Sequence, residues 1–164
     1  MSVNARGTFL ASKYAIPHLK KSKNPHILTI SPPLEEITSQ KTNWFAQQGT
    51  GYTLSKFGMT LVTHGLAGEL KEDGIGCNTL WPRTAIATAA VKNLLGGDAT
   101  VGKSRIPEIM GDAAYVIFTS CSKATTDNFY IDDEILASMN GPDMKKYRVD
   151  QKVQEIDMIP DFMV

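Results

Sequence analysis

The sequence has few cysteines and histidines and no excess of either charge, and each shortage argues against a class of protein. Two cysteines, Cys77 and Cys121, cannot build a disulfide framework, so a reduced intracellular protein is the simplest interpretation. The three histidines lie far apart and none is close to a cysteine, so we expect no metal site. Lysine plus arginine equals aspartate plus glutamate, at 17 each, which gives no support for nucleic-acid binding.

Long apolar runs are also missing. None approaches the roughly 18 residues that a membrane span needs, so no membrane span is predicted. Acidic residues are missing from positions 1–34, which contain only basic charged side chains: Arg6, Lys13, Lys20, Lys21 and Lys23. Such a start can be a mitochondrial presequence. The alternative, which we favour, is an internal helix of a larger fold.

The pattern of apolar residues alternates between helical and strand-like spacing. The 164 residues are enough for one domain with a hydrophobic core. Helical spacing predicts four helices, over residues 4–22, 51–70, 85–95 and 106–120. Short β-rich runs predict three strands, over residues 26–31, 75–81 and 128–132. This order predicts an α/β protein with a parallel sheet, and three strands suggest part of a doubly wound fold.

Three segments have weaker patterns. Residues 34–50 are polar and are predicted as a long loop, and residues from 134 onward are predicted as a tail or linker. The third is the 51–70 helix, which contains Gly58, Gly65 and Gly68. Each glycine weakens a helix by about 1 kcal/mol relative to alanine. We therefore expect another backbone to pack closely against them.

The stretch "GYTLSKFGM", residues 51–59, places Tyr52 and Lys56 four positions apart, on one face of the predicted helix. A tyrosine and a lysine at this spacing are weak evidence alone, and an ordinary helix surface is the alternative. Their helix, however, starts after a strand and a loop, and ligands bind where parallel strands end. The lysine is expected to lower the pKa of the tyrosine, as a general acid/base at a hydroxyl or carbonyl requires.

These residues resemble the short-chain dehydrogenase/reductase superfamily. The resemblance rests on "HILTIS", "GYTLSKFGM" and "IGCNTLWP" in this order, and on "NARGTFLASKYAIPHLKKS" before them. The stretches "ISPPL", "WPRTAIATAA" and "TDNFYID" resemble its hydroxysteroid dehydrogenase-like branch. The resemblance covers residues 1–135, as the catalytic half of such a domain, and leaves residues 136–164 as a polar tail or linker.

The resemblance implies a role for each matching residue. Tyr52 would exchange the proton with the substrate oxygen, and Lys56 would hold the nicotinamide ribose. Ser31 would polarise the substrate carbonyl, and Asn4 would hold a water of the proton relay through its helix backbone. Three further positions would line the carboxamide end of the nicotinamide: Pro82, Ile86 and Thr88. The implied reaction is hydride transfer between an alcohol and a carbonyl with NADP or NAD, on a steroid, lipid or fatty-acyl substrate.

The sequence departs from the family pattern at two positions near these residues. Ser31 is the first of the two small residues expected after the strand, and Pro32 occupies the usual catalytic position. Three weaker candidates for the catalytic hydroxyl are Thr29, Thr38 and Ser39. Arg83 replaces the usual glycine after the proline, and it is expected to be solvated rather than to bind a phosphate.

The largest departure is at the front of the fold, where the family has a strand, a glycine-rich turn and a helix that holds the pyrophosphate. The glycine-containing stretch "GGDATVG", residues 96–102, lies in the wrong place for that turn. The fold is therefore expected to be a partial doubly wound, Rossmann-like sheet that lacks the N-terminal nucleotide-binding strands, in a truncated form of the enzyme.

The alternative is a truncated form without catalysis that acts as an oligomerisation or interaction partner. The resemblance implies dimer contacts through the helices that begin near Asn4 and carry Tyr52. Such a chain could pair with itself or with a full-length relative. The resemblance also implies a peroxisomal or mitochondrial location, with the cytoplasm as the alternative.

Overall fold

Three parallel strands form the only sheet in the part of the chain that the computed structural model describes, residues 1–37, 49–139 and 143–161. The strands are β1 (His26–Ile30), β2 (Gly76–Trp81) and β3 (Phe129–Ile131), in the order β1-β2-β3. Leu28 lies opposite Asn78, and Leu80 lies opposite Tyr130. The expected α/β class with a parallel sheet is confirmed.

Helices connect these strands. The six α-helices of the described residues are α1 (Ala5–Leu19), α2 (Thr50–Glu69), α3 (Ala89–Leu94), α4 (Gly97–Gly102), α5 (Glu108–Thr119) and α6 (Asp132–Ser138). Three single 3₁₀ turns occupy Leu34–Ile37, Met144–Tyr147 and Glu155–Asp157. No described helix combines the length and the apolar composition that crossing a membrane requires.

The predicted strands and the helices α1, α2 and α5 are confirmed within a few residues. The predicted 85–95 helix begins only at Ala89, because Ile86 is paired with Arg105 in a β-bridge and the Thr88 hydroxyl accepts the Val91 N–H as an N-cap. Helices α4 and α6 were not predicted. Gly96, at φ 134°, separates α3 from α4.

Two apolar clusters cover β2 from opposite sides. Because side chains alternate along a strand, Cys77 points to one face and Leu80 to the other. Cys77 packs in the cluster of α2, which also contains Leu66, Ala67, Leu70 and Ile75. Leu80 packs with α5, α6 and the 3₁₀ turn that follows, in a cluster of Ile109, Ala113, Ile117, Ile135, Leu136 and Tyr147. This two-sided cover is typical of a doubly wound fold.

The glycines of α2 do not share one role. A Cβ at Gly58 would lie 3.0 Å from the Ala5 Cβ, so this glycine permits the close approach of α1 to α2. A Cβ at Gly65 or Gly68 would meet no atom of the described residues within 4 Å. The expectation of a close backbone is therefore confirmed at Gly58 alone.

β1 is an edge strand in the described part of the chain, with β2 on one side. A groove of about 480 Å³ lies along β1, between the strand and α1. Its lining includes Thr8 and Ser12 of α1 and Lys56 of α2. The sheet is thus a partial doubly wound sheet, as expected.

Residues 143–161 pack on the body of the fold. Tyr147 is 1% exposed and belongs to the α5–α6 cluster, and Met158 is buried as well. The boundary after residue 135 stays a prediction. In the predicted 34–50 loop, Leu34–Ile37 forms a 3₁₀ turn, whereas Thr38 and Ser39 lie outside the described residues.

Candidate functional site

The predicted catalytic residues gather at the carboxyl edge of the sheet. Ser31 directly follows β1, and Pro82 directly follows β2. Tyr52 and Lys56 lie in the first two turns of α2, which begins after Gly49 at φ 76°. Because β1 and β2 are parallel neighbours, the residues at their carboxyl ends lie at one edge.

The Lys56 ammonium is held at this edge by two contacts. Its Nζ donates to the carbonyl of Ile30, the last residue of β1, at 3.1 Å. It also lies 5.1 Å from the centre of the Trp81 ring, at the end of β2, in a cation–π contact. Burial lowers the pKa of Lys56, and the negative charge of Asp161 offsets part of that change.

The Tyr52 phenol lies at the surface of the site and is 40% exposed. Its pKa is raised, first by burial and then by the negative charge of Asp161. The sequence led us to expect that Lys56 would lower this pKa, and that expectation is wrong for the chain by itself. Burial and a carboxylate, which sequence spacing did not reveal, set the opposite direction.

Asn4 contacts the tyrosine helix through its side chain. Its Nδ2 donates to the Ser55 Oγ at 2.9 Å, and the Ser55 hydroxyl donates to the Tyr52 carbonyl at 2.8 Å. Asn4 stands at the N-cap of α1 but makes no side-chain capping bond there. The asparagine therefore links the start of α1 to the turn of α2 between Tyr52 and Lys56.

Ser31 is fully buried, and its hydroxyl has no hydrogen-bond partner among the described residues. Buried hydroxyls without a partner are uncommon, and they often mark a place where a ligand or water binds. Thr29, the alternative hydroxyl, already accepts a bond from Thr63 at 2.8 Å. The carbonyl of Pro32 accepts from Thr60 at 2.7 Å, which fixes the turn after Ser31.

The segment after β2 holds the three predicted cofactor-lining residues. Pro82 is buried. Ile86 packs against the α5–α6 cluster, and its β-bridge to Arg105 fixes the backbone. The Thr88 hydroxyl accepts the Val91 N–H at 3.4 Å. Each of the three therefore has a structural role of its own.

Arg83 is not a solvated side chain, as the sequence had suggested. Its Nε donates to Asp133 at 3.0 Å, and its guanidinium also pairs with Glu134. Its backbone N–H donates to the Asp132 carboxylate at 2.9 Å. Arg83 thus ties the turn after Pro82 to the start of α6, which leaves it unsuited to binding a phosphate.

A buried ion cluster supports this turn from below. Arg105 is 1% exposed, and it pairs with Asp133 at 3.2 Å and with Glu155. Asp132 is fully buried and accepts from two backbone N–H groups, those of Arg83 and Asp133. Burial raises the pKa of Asp132 to about 6. No group of three or more metal-ligating side chains occurs in the described part of the chain.

Sequence reasoning missed three residues of the site. Ser55 was within reach, since a serine three positions after Tyr52 can bond back to its carbonyl. Trp81 and Asp161 were not, because their hydrogen bond of 2.8 Å joins positions 80 residues apart. No local pattern announces a contact of that separation.

The comparisons with known proteins agree with this geometry. A model of the short chain dehydrogenase family matches residues 1–98. Hydroxysteroid dehydrogenase-like protein 2 of Danio rerio is 43% identical over 164 residues, which are 100% of this chain and 37% of that protein. A short chain dehydrogenase structure from Mycobacterium thermoresistibile is 42% identical, with a TM-score of 0.82 over 99% of this chain and 54% of that one.

A more distant structure, a 3-ketoacyl-(acyl-carrier-protein) reductase from Brucella melitensis complexed with NADH, shares the fold alone. It is 22% identical, with a TM-score of 0.58 over 79% of this chain and 52% of that one. The chain spans little more than a third of the length of the Danio rerio relative. The family model, however, matches more than half of this chain. The chain therefore belongs to the short-chain dehydrogenase family of oxidoreductases and corresponds to the C-terminal, catalytic part of such a domain.

Proposed function

We propose that this chain carries the catalytic residues of an oxidoreductase that transfers hydride between an alcohol and a carbonyl with NADP or NAD. One observation carries the proposal. The Lys56 ammonium is bonded to the last carbonyl of β1, one residue before the buried Ser31 hydroxyl that lacks a partner. A charged donor and an unsatisfied hydroxyl at the carboxyl edge of a parallel sheet suit a polar ligand.

The residues present fit the nicotinamide end of such a cofactor. Lys56 and Tyr52 offer donors for ribose hydroxyls at the sheet edge. The Thr88 oxygen accepts the Val91 N–H, so its own hydrogen stays available for a carboxamide oxygen beside Pro82 and Ile86. When bound, the nicotinamide supplies or accepts the hydride.

The chain's own residues handle the proton and the substrate oxygen. Tyr52 donates its phenolic proton to the carbonyl oxygen in the reductive direction and takes it back in the oxidative direction. The Ser31 hydroxyl donates a hydrogen bond to the same oxygen and polarises the carbonyl. Asn4, through Ser55, fixes the helical turn that carries Tyr52.

No pyrophosphate contact is assigned to the glycines of residues 96–102. Gly96 and Gly97 have positive φ, but they lead into α4, a helix of six residues. That helix follows α3 rather than a strand. The phosphate cradle of the family lies between a strand and a longer helix.

The substrate class that we propose is a steroid, lipid or fatty-acyl alcohol or ketone. The resemblance to the hydroxysteroid dehydrogenase-like proteins supports this proposal. The same resemblance supports a peroxisomal or mitochondrial compartment. A fusion of this chain to a fluorescent protein, imaged with markers of both organelles and the cytosol, tests the compartment.

Calorimetric titration of the purified chain with NADPH and NADH tests the function. We expect saturable binding that weakens in Lys56→Ala and Tyr52→Phe. Matched controls are Lys13→Ala and Tyr115→Phe, which change exposed residues away from the site and should bind like the unchanged chain. A chain that is folded by circular dichroism but binds neither dinucleotide would rule out catalysis by this form.

A second proposal, pairing through α1 and α2, rests on a separate observation. Both helices leave large apolar side chains at the surface: Phe9, Tyr14, Leu54 and Leu61. We propose that a second copy or a longer relative covers them. Light scattering of the purified chain should show a dimer that Leu61→Glu dissociates and Leu94→Glu, at an exposed leucine of α3, does not. A chain that is monomeric at every concentration contradicts self-pairing.

A further inference from the structure

Residues 158–161 form a fixed segment across the site, although they lie far from the catalytic residues in sequence. The Ala85 N–H donates to the Ile159 carbonyl at 2.9 Å, and the Ile159 N–H donates to the Lys103 carbonyl at 3.0 Å. The Asp161 N–H donates to the Arg83 carbonyl at 2.9 Å. Three backbone bonds and the buried Met158 side chain therefore fix this segment beside the turn after β2.

This segment brings a carboxylate to the Tyr52–Lys56 pair. The Trp81 Nε1 donates to the Asp161 Oδ1 at 2.8 Å. The ring of the same tryptophan lies 5.1 Å from the Lys56 Nζ. Trp81 is only 5% exposed, so water screens the charges on either side of it poorly. The carboxylate, the indole and the ammonium form a chain of contacts that ends one helical turn from Tyr52.

We propose that Asp161 is a positioning residue that keeps the Tyr52 phenol protonated, so that the site favours reduction of a carbonyl over oxidation of an alcohol. The inference rests on the function proposed above. In the favoured direction the Tyr52 O–H bond breaks and an O–H bond forms on the substrate oxygen. The hydride from the reduced nicotinamide reaches the carbonyl carbon. The phenolate then regains a proton from solvent, which balances the step.

The charges around the site support this role. The negative charge of Asp161 raises the pKa of Tyr52 and also that of Lys56, against the effect of burial on the lysine. Two other cations border the 158–161 segment. Arg83 is paired with Asp133 and Glu134, and Lys103 is exposed. Neither contributes to the pKa change of Tyr52, whereas Asp161 does.

A purely structural role for Asp161 is the alternative, and one substitution separates the two. Asparagine keeps an oxygen that accepts the Trp81 N–H but has no charge. Asp161→Asn should therefore preserve the segment while removing the electrostatic effect. Asp161→Glu restores the charge. Asp157→Asn removes one negative charge from an exposed position of the adjacent turn and is the matched control.

Carbon NMR of tyrosine- and lysine-labelled chain gives the titration midpoints directly, with Tyr52→Phe and Lys56→Met to assign the signals. We expect lower midpoints for Tyr52 and Lys56 in Asp161→Asn, recovery in Asp161→Glu and no change in Asp157→Asn. The Trp81 indole N–H signal confirms that the segment stays in place. An unchanged Tyr52 midpoint in a folded Asp161→Asn chain overturns the proposal.

This measurement needs no cofactor, so its failure and the failure of dinucleotide binding are separate results. In a chain that turns over, Asp161→Asn should also shift the alkaline rise of alcohol oxidation to lower pH. The ratio of oxidation to reduction at neutral pH should increase with it. A pH profile identical to that of the unchanged chain contradicts the proposal independently of the NMR result.

Discussion

The side-chain amide of Asn4 donates a hydrogen bond of 2.9 Å to the hydroxyl of Ser55, across 51 positions of sequence. Ser55 in turn donates to the carbonyl of Tyr52. The start of α1 and the catalytic turn of α2 are thus joined by one polar contact. Gly58, three positions after Ser55, lets α1 approach closely enough for it, since a Cβ there would meet Ala5 at 3.0 Å.

Ser55→Ala should reduce the free energy of unfolding by about 1 kcal/mol, because the Asn4 amide loses its partner in a half-buried place. Urea denaturation measures the change. In a double-mutant cycle with Asn4→Ala, the two losses should be less than additive, since one bond is removed in both single variants. Ser2→Ala, at an exposed serine, is the control and should have little effect. Strict additivity would mean that the contact contributes nothing.

Tyr147→Ala should destabilise the chain by about 3 kcal/mol or more, as expected for the removal of a buried aromatic ring. Tyr147 is 1% exposed, and its hydroxyl donates to Asp112 at 2.5 Å. Tyr115→Ala is the matched control, because that ring is 70% exposed. Equal midpoints of urea denaturation for both variants would show that residues 143–161 form a tail that adds no stability.

The parts of the fold that the sequence predicted are those with local causes. Proline and glycine boundaries and β-rich runs mark β1 and β2, and helical spacing marks α2 within a residue at each end. The family motif marks Tyr52 and Lys56, which are held on one helix by their own spacing. A pattern of this kind is complete within one turn or one strand, so no tertiary information is needed to read it.

The parts that failed depend on contacts between distant positions. Arg83 looked solvated because its partners, Asp133 and Glu134, lie 50 and 51 positions away. The direction of the Tyr52 pKa change was wrong because Asp161 lies far along the chain. The glycines of residues 96–102 were not recognised as the start of a helix, since α4 depends on its packing beside α3.

The two cysteines should differ in reactivity toward iodoacetamide in the folded chain. Cys121 is exposed, whereas Cys77 is fully buried in β2 and burial raises the pKa of its thiol to about 12. Because the thiolate is the reactive form, Cys77 should react orders of magnitude more slowly at neutral pH. Mass spectrometry should show one added group, and two only after denaturation. The Cys121→Ser control should add none while folded, and rapid double labelling would contradict the buried position of β2.

Asp132 should make the stability of the chain depend on pH in an unusual direction. Burial raises its pKa from 3.8 to about 6, so the folded state binds more protons than the unfolded state between these values. The free energy of unfolding contributed by this group therefore falls as pH rises from about 4 to about 6, and stays low above that range. The shift corresponds to about 2 to 3 kcal/mol.

Asp132→Asn should remove this fall, because asparagine keeps an oxygen for the Arg83 and Asp133 N–H groups and does not ionise. Urea denaturation at pH 4, 5, 6 and 7 gives the slope for each variant. The slope is compared rather than the absolute stability, since the substitution also removes the attraction between Asp132 and Arg105, whose charged atoms lie 4.0 Å apart. Asp157→Asn, which neutralises an exposed carboxylate, should keep the slope of the unchanged chain. Parallel curves for Asp132→Asn and the unchanged chain would mean that Asp132 stays ionised below pH 4, held by its buried neighbour Arg105.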